Sequence, residues 1–471
     1  MPGQRLIFIE FNELSPTLLQ RWMAEGRLPN FRRFHDASQV FTGVAETTDP
    51  NCLEPWIQWY SLHTGLGFDQ HGVFNLTDGP RAGHLDIWHA LLAAGYRVGN
   101  FAGMNAPGFA APGSFYLPDP WCNTERPYPA ELDAYQRVVL SKVQENSNGS
   151  AAAGRAEYAA FLRYVTTHGL RAKSVLAALR QVTSEALTRQ TSWKRAALLD
   201  KLQFDLFRHY WSRSRPDFAS FFVNSTAHFQ HAWFHLLQPE AFDLPPDRLD
   251  DPVHRDAILY GYQQMDALLG DFFALERQGA LLVLATALSQ HPNPNAGNRY
   301  YRPRNAAQLL DWVGVTPTRL LPVMAQQFSA EFADAAAAEA ARARLAQLTC
   351  EGRPVIGFVQ APAHTLFFDN AVRRAVPQEA QVLFGNQAMP FHDLFYEIPH
   401  TKSGAHHPDS VLWFKTGTHR THAERTSILN VMPTLLDYYG VALPPDRRGT
   451  SLLDLLGIAR FAAPQPRQAA A

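Results

Sequence analysis

Three cysteines in 471 residues are too few, and odd in number, for a disulfide framework. Cys52, Cys122 and Cys350 instead suit a reducing compartment, so the protein is expected to be cytoplasmic. Charged residues are also scarce, at 18%, and they nearly cancel to a net charge of -1. That balance gives no general attraction to nucleic acid or to a membrane surface, and neither is expected as a partner. No apolar run reaches the roughly 20 residues that cross a bilayer. The chain opens on the strand-like RLIFIEF, with no basic and apolar leader before it, so no signal peptide is expected. No internal repeat is visible. What is present is a large apolar share, 46%, with 10 tryptophans and 19 histidines. Such a composition belongs to a well-buried globular protein. Its length exceeds what one core usually serves, which predicts one large domain with insertions, or two domains.

Residues 5–11, RLIFIEF, read as a strand buried on both faces. Ser15 and Pro16 then suit a helix start, and Gly26 its end. A strand–turn–helix opening points to α/β architecture. Pro55 suits the first turn of another helix, with Cys52, Leu53 and Glu54 at its edge. Residues 125–215 read as mostly helical, an insertion over the core. FASFFVN and ALLVLAT read as further strands, with a long amphipathic helix between them. A second insertion is expected over 300–400, with an alanine-rich helix and the strands VIGFVQ and QVLFG. SVLWFKTG and SILNVMPTLLDYYG close the domain. The expected division is therefore core at 1–124, 216–299 and 401–458, insertions at 125–215 and 300–400, and a disordered tail at 459–471.

The stretch with most chemistry is FFVNSTAHFQHAWFH, residues 221–235, a strand end running into a helix. His228, His231 and His235 fall at i, i+3, i+7, toward one helix face. Metal sites of this kind usually add carboxylates, and the stretch has none. Cys52 lies at a helix N-terminus, where the helix dipole favours a thiolate nucleophile. Glu54 beside it opposes that ionisation. Glu10, Glu13 and Glu54 offer an acid/base group with a raised pKa, or simply caps and ion-pair partners. Asn12, Asn51 and Asn224 can donate hydrogen bonds to a ligand, and Gln290 and His291 can line a pocket. Arg302 and Arg304 suit an anionic substrate or a solvated loop.

The order of several segments resembles the alkaline phosphatase superfamily, especially its type I phosphodiesterase and nucleotide pyrophosphatase branch. They are LLQRWMAEGRLPNFRRF, PWIQWYSLHTGLGFDQHGVF, IWHALLAAGYRVGNF, STAHFQHAWFH, YGYQQMDALLGDFF, SGAHHPDSVLWFKTG and ILNVMPTLLDYYGVALPPDRRGTSLLD. The resemblance implies an alkaline-phosphatase-like α/β fold. Its central, mostly parallel sheet lies between helices, carries helical insertions, and has the site at the carboxyl ends of its strands. It also implies two metal ions about 4 Å apart that clamp a phosphoryl transfer.

Most of the implied ligands are substituted. Asn12-Glu13 stands where the first strand ends in Asp before Gly, and Cys52 falls at the nucleophile position. Ala227 and His231 replace the Asp and His of the histidine-bearing helix. Ala287, Leu288 and Ser289 replace an Asp-His-Gly motif, while Gly404-Ala405-His406 keeps a Gly-x-His turn. His63 and His71 are implied to brace loops near the site. A cysteine that matures to formylglycine is ruled out, because Cys52-Leu53-Glu54-Pro55-Trp56 lacks the required motif. His231 and His406 thus remain, and His228 can join them in a three-histidine site that suits zinc.

These residues lead to an enzyme acting on a small or conjugated anionic substrate, a phosphate or related ester, by hydrolysis or group transfer. Its rebuilt site would hold one zinc or no metal. Cys52, Glu54, Glu10 and Asn12 are the catalytic candidates, and Glu13, Asn51, Asn224, Gln290 and His291 the binding ones. Two alternatives stay open: a pseudoenzyme that binds an anionic ligand or a protein, and a Cys52-dependent transferase of unrelated chemistry.

Overall fold

The computed structural model describes residues 4–49, 51–122, 124–145, 153–293, 295–321, 323, 327–359, 361–398 and 402–461. The tail expected at 459–471 therefore lies outside the described residues from 462 onward.

A nine-stranded sheet organises the molecule. Five neighbouring strands run parallel: Ala280–Ala285, Arg5–Phe11, Phe218–Val223, Val98–Phe101 and Phe115–Leu117. Asp409–Phe414 runs antiparallel to Ala280–Ala285 on one side and to Gln39–Val44 on the other. The short strands Arg420–Thr421 and Thr426–Ser427 add to Gln39–Val44 in parallel. This is the central, mostly parallel sheet that the sequence predicts.

The period-2 alternation of the first strand explains the layers. Leu6 and Phe8 pack into one cluster with Trp59, Trp88 and Met432. Ile7, Ile9 and Phe11 pack into another with Phe204, Phe207 and Phe272. Both faces are covered, so ALLVLA and FASFFV are buried at every position. Each fully buried Phe or Leu contributes about 1.5–3 kcal/mol toward holding the layers together.

Between 125 and 215 the described residues form the helices Asp133–Glu145, Arg155–Thr167, Ala172–Leu187 and Arg195–Ser214. The last of these lies on the sheet, through Phe204 and Phe207. Residues 300–400 contain two four-stranded antiparallel sheets and the helices Ala306–Trp312 and Ala335–Leu345. The strands expected from VIGFVQ and QVLFG are Ile356–Val359 and Gln381–Phe384. Among the described residues, no helix is long and apolar enough to cross a membrane.

Two features of this frame position the site. The first strand ends at Phe11, and the helix Ser225–Leu237 starts two residues after the strand Phe218–Val223. A two-stranded ladder, Ser289–Pro292 with Gly404–His407, sets His406 opposite Gln290.

Candidate active site at the strand ends

Glu13 is the centre of the cluster. Its φ is +62°, a left-handed conformation that costs a non-glycine residue about 1–2 kcal/mol. The turn places its side chain in the interior, 1% exposed. The Gln230 amide holds the strained unit by donating to the Glu13 carbonyl at 2.8 Å. Gln230 is itself fixed by the Tyr262 hydroxyl at 2.8 Å. Backbone strain that is braced in this way is typical of functional positions.

The Glu13 carboxylate meets groups from four parts of the chain. Asn12 Nδ2 donates to Oε1 at 2.7 Å, and Gln290 Nε2 donates to Oε2. His231 Nε2 lies 3.2 Å from Oε2, and His406 Nε2 lies 3.6 Å from the same oxygen. Burial alone would raise the pKa of Glu13. The adjacent imidazoles of His406 and His231, with hydrogen bonds from His231 and Gln290, outweigh burial and hold it at about 2. Burial, opposed only in part by Glu13, pushes His406 down to about 4. At neutral pH the site therefore offers an ionised carboxylate beside a neutral imidazole, the protonation states a metal ion requires.

The surrounding bonds orient these donors. His231 Nδ1 lies 3.0 Å from the Gly404 carbonyl oxygen, a contact that orients the ring with Nε2 toward Glu13. Gly404 must be glycine, since a Cβ there would sit 2.2 Å from Gln290 Oε1 and 2.6 Å from the Gln230 carbonyl oxygen. Asn12 also donates to Asn224 Oδ1 at 2.7 Å and accepts from Trp59 Nε1 at 2.7 Å. Its amide is thus engaged in holding Glu13. His406 Nε2 is buried and has no hydrogen-bond partner among the described residues.

Glu54 completes the edge of the cluster, with Oε2 3.5 Å from His406 Nδ1. Burial pushes its pKa up to about 7, against the pull of Lys402 and His231. Lys402 is a cation that sequence reasoning did not select. Only its position two residues before Gly404 would have flagged it.

Several expected residues lie elsewhere. His228 is exposed and lines a cavity of about 550 Å³ with Trp193, Trp233 and His254. A three-residue step advances about 300° round a helix, which leaves His228 some 60° from His231. The metal candidate is therefore Glu13, His231 and His406, whose ligand atoms all lie within 4.8 Å of one another. His235 is buried separately, and its ring lies 6.3 Å from that of Phe242.

Glu10 points to the sheet face carrying Trp59, and accepts from His63 Nε2 at 2.8 Å in the fully buried interior. It is two residues upstream of Asn12 and is not placed to act on a substrate. Asn51 is exposed and bonded to Asp49. His291 is exposed and packs against the His407 ring at 5.3 Å. Arg304 donates to the His392 carbonyl.

Cys52 is in the turn before the helix Pro55–Thr64, as expected, but its thiol is not activated. Burial, then Asp49, Glu46 and Glu54, push its pKa up to about 11. Desolvation and three carboxylates, Glu54 among them, thus oppose the thiolate that a helix N-terminus would favour. Ala227, Ala287 and Leu288 are no more than 1% exposed and carry no ligand atom.

No protein-family model matches the chain, and no curated protein does. Solved structures similar to it include human ectonucleotide pyrophosphatase/phosphodiesterase 5, at 11% identity and a TM-score of 0.43, over 97% of this chain and 100% of that one. Wild-type alkaline phosphatase PafA is similar at 11% identity and a TM-score of 0.47, over 97% and 100%. Phosphonoacetate hydrolase from Sinorhizobium meliloti 1021 in complex with phosphonoacetate is similar at 13% identity and a TM-score of 0.41, over 92% and 94%. These names fall in the class that the sequence motifs resemble. A likeness at this level carries no argument about chemistry.

Proposed function

We propose that the protein is a divergent enzyme of the alkaline phosphatase superfamily that acts on a phosphate or related ester, by hydrolysis or transfer, at a one-metal site. The observation that carries this reading is the convergence of Glu13, His231 and His406, whose donor atoms lie within 4.8 Å of one another. Two imidazoles and one carboxylate form a donor set that suits zinc and leaves a position for water or substrate. The bond from His231 to Gly404 and those from Asn12 and Gln290 to Glu13 are the outer contacts such a site needs. The buried Nε2 of His406, which has no hydrogen-bond partner among the described residues, fits the same purpose.

When bound, zinc would supply Lewis-acid polarisation of the ester's phosphoryl oxygen. The chain's own groups do the rest. Glu54, beside His406, is placed to hold or deliver a proton at its Oε2. Lys402 contributes positive charge that favours an anionic substrate. Ala287 and Leu288 put buried apolar groups where the resemblance implies ligands of a second metal. The three free cysteines agree with a cytoplasmic location.

The test is the metal content of protein purified without chelator, beside Glu13→Gln and His406→Ala, followed by a screen of phosphodiesters and phosphomonoesters. About one zinc per chain, absent from both variants, together with zinc-dependent ester cleavage, is the expected result. Metal-free wild-type protein after zinc soaking would overturn it and leave a hydrogen-bonded cluster in a binding protein.

A further inference from the structure

The helix Ala172–Leu187 is turned inside out. Val175, Leu176, Leu179, Val182 and Leu187 are between 40% and 83% exposed. At 100° per residue they share one outward arc with the exposed Ala172 and Ala186. Some of the polar residues face inward, while Lys173, Arg180 and Thr183 are exposed. Gln181 Nε2 donates to the Thr191 carbonyl at 2.8 Å, Ser184 Oγ donates to Thr191 Oγ1 at 3.1 Å, and Ser174 is buried. Arg195 forks onto Glu185 from the same side. Those bonds fix the rotation of the helix, so the apolar face is held toward solvent and not merely left there by fraying.

The charge around this face is one-sided. Residues 153–195 carry eight Lys or Arg and two Glu, in a chain whose totals are 42 and 43. Arg163 and Arg180 are exposed, adjoin Leu162 and Leu179, and have no carboxylate partner among the described residues. Leu162, on the helix Arg155–Thr167, is itself 58% exposed. An exposed apolar stripe of this size marks an interaction surface. Flanked by unpaired cations, it fits a partner that is apolar in depth and anionic at its rim.

We propose that the helix Ala172–Leu187 is an interfacial docking element that lies on an anionic lipid bilayer. Its apolar arc enters the headgroup–acyl boundary, and Arg163 and Arg180 contact lipid phosphates. The near-zero net charge of the chain hides this, because acidic residues elsewhere cancel a local excess. The inference is independent of the metal site.

The experiment is co-sedimentation of the full chain with vesicles of phosphatidylcholine alone and of phosphatidylcholine mixed with phosphatidylglycerol. Binding to the mixed vesicles is expected to be at least about tenfold tighter and to weaken with salt. Leu179→Glu with Val182→Glu should abolish it while leaving the thermal midpoint unchanged. If that pair misfolds, Arg163→Gln with Arg180→Gln carries the test and should remove the preference for anionic vesicles. Failure to bind either vesicle, or binding that both pairs leave intact, would overturn the proposal. So would a wild-type dimer that Leu179→Glu with Val182→Glu converts to monomer, since the occupant would then be a second copy of the chain.

Discussion

The cluster around Glu13 and the helix Ala172–Leu187 break the usual partition of residues in opposite ways. The first buries a carboxylate and two amides, and partly buries two imidazoles, where apolar side chains usually sit. The second holds five large apolar side chains in solvent and turns Ser174, Gln181 and Ser184 inward. Buried polar groups and exposed apolar stripes are the informative exceptions in a globular protein. The two differ in support. Glu13 stands at the end of a central strand, braced by bonds from the Ser225–Leu237 helix and the Ser289–Pro292 ladder. The outward helix is held mainly by contacts within its own neighbourhood. A site that must fix atoms needs rigid elements, whereas a docking face needs only a defined rotation.

The largest effect should come from breaking the polar cluster. Glu13→Ala removes a proposed ligand and leaves Asn12 and Gln290 without their buried acceptor. Activity should fall by about 100-fold or more, with zinc lost, and stability by about 1–3 kcal/mol. Metal analysis, kinetics and chemical denaturation measure the three losses. Gly404→Ala tests the same region through packing. Its Cβ cannot be accommodated beside Gln290 and the Gln230 carbonyl, so it should destabilise by about 1–3 kcal/mol and reduce zinc affinity.

The outward helix should respond differently. Leu179→Glu with Val182→Glu should leave ester cleavage in solution and thermal stability unchanged while vesicle binding disappears. If cleavage of a soluble ester fell with it, the two regions would not be separable.

An effect confined to one side of the pH range comes from Asp200. Burial pushes its carboxyl up to about 7, against a hydrogen bond from Ser225 and the charge of Lys201. The folded protein therefore holds this proton more tightly than the unfolded chain does. The stability this gives is present below about pH 4 and is lost as pH rises to 7. Asp200→Asn keeps an acceptor for Ser225 and escapes the loss. It should exceed the parent by on the order of 2–4 kcal/mol at pH 8 and by little at pH 4, as read from denaturation at the two pH values. The smallest effect belongs to Cys52→Ala, which should change turnover by less than about threefold and prevent no catalysis, because the thiol is protonated. A covalent adduct trapped on Cys52 during turnover would contradict that.

The sequence itself determined the layered α/β frame. RLIFIEF, FASFFV and ALLVLA are apolar at both parities, and only burial on both faces satisfies them. It also determined that His231 and His406 were worth watching and that Ala227, Ala287 and Leu288 could not hold a metal. Which groups meet was decided by tertiary structure. Glu13 became the centre through a left-handed turn that no periodicity encodes. His228 left the cluster by a rotation of some 60° on its helix. Glu10 was taken by His63, and Cys52 was surrounded by carboxylates that a local motif does not show. The Ala172–Leu187 helix falls in a stretch that reads as helical in sequence, but which face meets the protein depended on Thr191 and Arg195 beyond its own end. Local pattern fixes which residues share a face of an element. The partners of that face come from residues up to hundreds of positions away, and only folding brings them within bonding distance.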